Sequence, residues 1–143
     1  MNFGFKLFST IFLFISACSI SSGVIARSCS ISESSVHDWS KKYKERVQIN
    51  TQKHEDDYMV EVSVPARIDG LAFKNISLFK GEPAYDATKM DHDFFMQLGT
   101  WEGNKDTIHS VYGVKSFLAE DNYLSISYGK DCGMYVQYRV EFK

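Results

Sequence analysis

Tyr58-Met59-Val60-Glu61-Val62-Ser63-Val64-Pro65 decides the fold class of this chain. Tyr58, Val60, Val62 and Val64 occupy every second position, with Met59, Glu61 and Ser63 between them. A period of two places alternate side chains on opposite faces of a strand, and Pro65 ends the run because it has no N–H to give to a sheet. The polar stretch Lys53-His54-Glu55-Asp56-Asp57 reads as the turn before it, and Ile68-Asp69-Gly70 as a turn after it.

Similar signals continue toward the C-terminus. Leu71 to Lys80 reads as a strand with Phe73 and Phe79 on one face, followed by a long loop from Gly81 to Asp93. Phe94 to Trp101, Thr107 to Leu118 and Tyr123 to Tyr128 read as further strands, separated by the turns at 102–106 and 120–122. After the turn at 129–133, Met134, Val136, Tyr138, Val140 and Phe142 alternate with Tyr135, Gln137, Arg139 and Glu141. Short turns between strands require antiparallel neighbours, because a parallel crossover needs about a dozen residues or more.

On the N-terminal side, Val36, Trp39, Tyr43 and Val47 are spaced for one face of a helix of about three turns, with Ser34 or Ser35 as its N-cap. The alternative is a shorter helix with a strand already running from Arg46 to Thr51. The expectation is a mainly β protein, an antiparallel β-sandwich or a curled antiparallel sheet with one N-terminal helix.

The first 26 residues have a different character. Lys6 gives a cationic start, Leu7 to Ile15 is an apolar run, and small residues follow. That order fits an export signal, and the run falls short of the roughly 20 apolar residues of a spanning helix. Cleavage after Ala26, behind Val24-Ile25-Ala26, leaves a single β-rich domain at 27–143. The alternative is a signal over residues 1–17. There Ile15-Ser16-Ala17-Cys18 resembles a bacterial lipobox, and Cys18 is the lipidation candidate, so a membrane enters only through a lipid anchor at that residue. Either way the chain reads as exported: periplasmic or extracellular, or anchored to the outer membrane as a lipoprotein.

The chain has 16 Lys and Arg against 18 Asp and Glu, a net charge of −2. Loss of Lys6 with the signal makes the balance more acidic, and no basic block remains. Nucleic acid is therefore not an expected partner, since that affinity rests on neutralising phosphates. Cys29 and Cys132, the pair that remains after cleavage at Ala26, read as one disulfide in an oxidising compartment.

No sequence motif for catalysis or for a cofactor is present, and no cofactor is expected. Asp91, His92 and Asp93 are weak metal-ligand candidates whose spacing matches no zinc or calcium motif. The aromatic residues Trp101, Tyr112, Tyr128 and Tyr135 are the binding candidates, because exposed rings give a large contact area at low entropic cost. Aromatic residues also fit pleated surfaces for structural reasons alone. The leading functional expectation is a non-enzymatic binding module, of inhibitor or immunity type, for a protein or cell-envelope component. The alternatives are a small secreted hydrolase using Asp91, His92, Asp93 and His109, or a structural envelope lipoprotein.

Overall fold

The computed structural model describes residues 31–83, 94–119, 121–130 and 132–143. The signal-peptide reading, Cys18, Cys29 and the Asp91-His92-Asp93 cluster lie outside these residues. The described chain opens with helix α1 (Glu33–Tyr43). Its N-cap is Ser32, not Ser34 or Ser35: Ser32 Oγ accepts the Ser35 N–H at 3.2 Å. Glu33 in the first turn and Lys41 and Lys42 in the last complement the helix dipole.

Nine strands follow among the described residues: β1 (Gln48–His54), β2 (Asp57–Pro65), β3 (Arg67–Ile68), β4 (Leu71–Lys80), β5 (Phe94–Gln97), β6 (Trp101–Asn104), β7 (Thr107–Lys115), β8 (Asn122–Tyr128) and β9 (Met134–Arg139). They form two antiparallel sheets in a sandwich-like arrangement. The first sheet has the order β1-β2-β7-β6, and the second has the order β3-β4-β8-β9 with β5 also paired to β4.

The alternation read from the sequence is the alternation that builds the core. Val60, Val62 and Val64 of β2 and Ile108, Tyr112 and Val114 of β7 are buried in one cluster with Ile76, Leu78, Leu124, Ile126 and Val136 of the second sheet. Each such aliphatic side chain contributes on the order of 1.5–3 kcal/mol when fully buried.

Two sequence boundaries are corrected. The run from Phe94 to Trp101 is not one strand: β5 pairs with β4 in one sheet and β6 pairs with β7 in the other, so the chain changes sheets between them. The Leu98 N–H still donates to the Ile76 carbonyl at 2.9 Å, which places the departure after that residue. The strand from Thr107 ends at Lys115, and Ser116–Leu118 is a 3₁₀ turn.

Helix α1 covers an edge strand. Ser40 Oγ donates to the Val36 carbonyl at 2.6 Å and accepts the Gln137 N–H of β9 at 2.8 Å, so it engages a backbone donor on the side of β9 away from β8. The end of the helix is tied to the β3–β4 turn. Tyr43 Oη and Lys42 Nζ, the latter at 3.1 Å, both donate to the Asp69 carboxylate. Asp69 (φ 47°) and Gly70 (φ 80°) form the two-residue tip, and left-handed backbone at both positions matches the type I′ geometry that suits the twist of a hairpin. The hydrogen bond from Tyr43, then that from Lys42, holds the Asp69 carboxyl below its ordinary value.

Candidate functional site

The pairing that buries even-numbered residues of β2 and β7 turns their odd-numbered residues outward. Three cross-strand rows result on the outer face of the first sheet. Trp101, His109, Ser63 and Gln48 form one row from β6 across to β1. Val111, Glu61 and Asn50 form the next, and Gly113, Met59 and Gln52 the third. Trp101 is 52% exposed, Val111 43% and Met59 42%. These are large apolar side chains left in water, set among amides, one hydroxyl and one carboxylate.

The aromatic end of this face has a defined shape. The Trp101 and His109 rings stack with centroids 6.1 Å apart and planes 30° apart. The His109 ring lies across Gly103: a Cβ at that position would overlap Cδ2 and Nε2 of the imidazole. Glycine at 103, where the β6–β7 register also shifts, is what allows His109 to lie flat beside Trp101. Ser110 Oγ donates to the Gly99 carbonyl at 2.8 Å and fastens the start of β6 to β7. A shallow depression of about 500 Å³ follows these rows, lined by Trp101, Gly103, His109, Glu61, Asn50 and Gln48 among others.

A second depression, of about 990 Å³, lies where α1, β1 and β9 meet. Four of its charged groups are paired, and Lys41 and Lys44 have no ion pair among the described residues. Arg139 pairs with Glu82 at 2.8 Å and with Asp121 at 3.2 Å, and Lys143 pairs with Glu141 at 3.5 Å. It is the larger volume, but it is a seam between packed elements. The outer sheet face is the better candidate because it leaves apolar rings and hydrogen-bonding groups together in solvent.

The residues singled out from sequence separate clearly. Trp101 is on the exposed face. Tyr112 and Tyr128 are corrected: they are 8% and 0% exposed and belong to the core, so neither can dock a partner. Both follow the phase of their apolar neighbours, Tyr112 with Ile108 and Val114, and Tyr128 with Leu124 and Ile126. Burial pushes both hydroxyls well above the ordinary tyrosine value. Tyr135 is half-buried on β9, opposite Ser127 and in the other sheet from Trp101. Cys132 is exposed in the turn before β9. Among the described residues no group of three His, Cys, Asp or Glu could hold a metal ion.

Sequence reasoning missed Gln48, Asn50, Gln52, Glu61 and Val111 as members of a common face. Their signal was the outward phase of β1, β2 and β7, which becomes a surface only once the non-local pairing of β2 with β7 is known. Comparison with protein-family models, curated proteins and solved structures returns no match. Among the described residues no helix is long and apolar enough to cross a membrane.

Proposed function

We propose that this protein is an exported, non-enzymatic binding module that engages a component of the cell envelope through the outer face of its first sheet. The observation that carries the reading is the half-exposed Trp101 ring, stacked on His109 on the open sheet face that also exposes Val111 and Met59 in the next two rows. Burying an indole of this kind contributes more to association than most interface side chains, and the packed imidazole limits the ordering cost on binding.

Cleavage after Ala26 releases a soluble domain, and processing before Cys18 anchors it through lipid; the mass of the mature N-terminus separates the two. The disulfide is proposed to join Cys29 to Cys132, which peptide mapping without reduction tests directly. The hydrolase alternative gains no support, because Asp91, His92 and Asp93 lie outside the described residues and His109 is stacked on Trp101.

The test is co-sedimentation of purified protein with envelope fractions of the producing cell, comparing wild type with Trp101→Ala. Saturable retention that the substitution weakens supports the reading. Retention equal in both proteins, or none in either, removes it.

A further inference from the structure

The three outward rows carry one charged side chain, Glu61, and no Lys or Arg. The nearest cation along β7 is Lys115, which is already held by Asp57 at 2.8 Å. The depression along these rows has no cation in its lining, so it offers little to a phosphate, a nucleic-acid backbone or an anionic lipid headgroup, which are recognised by Arg and Lys; Lys41 and Lys44 stand beyond the β1 edge, in the larger depression that Asn50 and Gln52 also line. The hydrogen-bonding groups of the outer face are instead the side chains of Gln48, Asn50, Gln52 and Ser63, each able both to donate and to accept.

Such groups match a ligand whose own polar groups donate and accept, as hydroxyls do. The exposed indole adds a flat apolar platform at one end of the row. A sugar ring has this combination: C–H groups on its faces that pack on an aromatic plane, and hydroxyls at its edge. From Trp101 across β7 and β2 to Gln48 is three strand spacings, about 14 Å. That is longer than one sugar ring and suits a short linear oligosaccharide laid across the strands. The depression of about 500 Å³ along the same residues is shallow enough to admit an internal stretch of a chain as readily as its end.

We propose that the outer face of the first sheet binds a neutral oligosaccharide segment of an envelope or extracellular glycan. Trp101 stacks on one ring, and Asn50, Gln48 and Glu61 receive the hydroxyls of its neighbours. This rests on the reading of that face as the binding surface. Gly103 is a positioning residue, since a methyl group there must displace the imidazole on which the indole rests.

The experiment titrates purified protein with cellotriose, maltotriose and tri-N-acetylchitotriose to roughly 10 mM, within the weak affinities that a shallow site supports, and reads tryptophan fluorescence and calorimetry. At least one trisaccharide should bind and change the indole emission. Trp101→Ala should weaken binding at least about tenfold and Asn50→Ala by a smaller factor, with thermal midpoints unchanged. Gly103→Ala should weaken binding while leaving Trp101 in place. No binding by any of the three sugars overturns the glycan assignment.

A parallel arm keeps the two readings distinguishable. Envelope fractions are treated with glycosidases or with protease before co-sedimentation. Retention lost only to glycosidase supports the glycan. Retention lost only to protease, and still dependent on Trp101, overturns the glycan and leaves the surface as the binding face. Retention indifferent to Trp101→Ala overturns both.

Discussion

At the scale of single residues, exposure and partnership decide what each aromatic does. Tyr128 and Tyr112 fill the core, yet the hydroxyl of each is buried with no hydrogen-bond partner among the described residues. An unpaired buried hydroxyl is a cost that its removal relieves. Tyr128→Phe and Tyr112→Phe should therefore be neutral or stabilising by up to about 1 kcal/mol, whereas Tyr128→Ala should cost about 3–5 kcal/mol through the cavity it leaves. Urea midpoints at constant slope measure both. Asp69 makes the opposite case. Its folded-state pKa lies below the unfolded value because Tyr43 and Lys42 donate to the carboxylate. The stability it provides is present above the unfolded pKa, about 3.9, and is lost as pH falls through the lower folded value. Thermal melts of wild type and Asp69→Asn should differ at neutral pH and converge below about pH 4.

At the scale of elements, the sequence showed where strands lie better than which side of each is covered. The alternation of β2 was legible because Val60, Val62 and Val64 differ so plainly from Met59, Glu61 and Ser63. Tyr128 shares the phase of Leu124 and Ile126, opposite Ser125 and Ser127, but β8 is buried on both faces, so that alternation did not by itself tell which aromatic would be exposed. The break between β5 and β6 was hidden because both halves look like one apolar run, and only their different partners separate them. The candidate site was half legible: Trp101 could be chosen from composition, but the amides that share its face come from β1 at the opposite edge of the sheet, far away in sequence. The helix cover is likewise a tertiary feature. Ser40→Ala should leave the Gln137 N–H buried without its acceptor and cost about 1–3 kcal/mol, seen as a lower denaturant midpoint. The same variant should raise hydrogen exchange at Gln137 before that of β8, since the hydroxyl protects the edge strand and not the centre of the sheet.

At the scale of the whole molecule, two antiparallel sheets bury their aliphatic residues between them and leave Trp101, Val111 and Met59 on the outer face of the first sheet in water. If Cys29 and Cys132 are joined as proposed, the bond closes nearly the whole domain into one loop. Cys132→Ser should then lower stability by about 2–5 kcal/mol, a loss matched by reduction of the wild type and absent when the reduced proteins are compared. Binding and folding are separable in this architecture, because the core points inward from β2 and β7 while the proposed ligand meets their other side. The most direct measurement is therefore a paired one: affinity for envelope fractions and thermal midpoint, for wild type and Trp101→Ala under the same conditions. The account predicts an affinity at least about tenfold weaker at an unchanged midpoint. Equal affinities would contradict it, because a face that loses its only exposed indole without consequence is not where this protein binds.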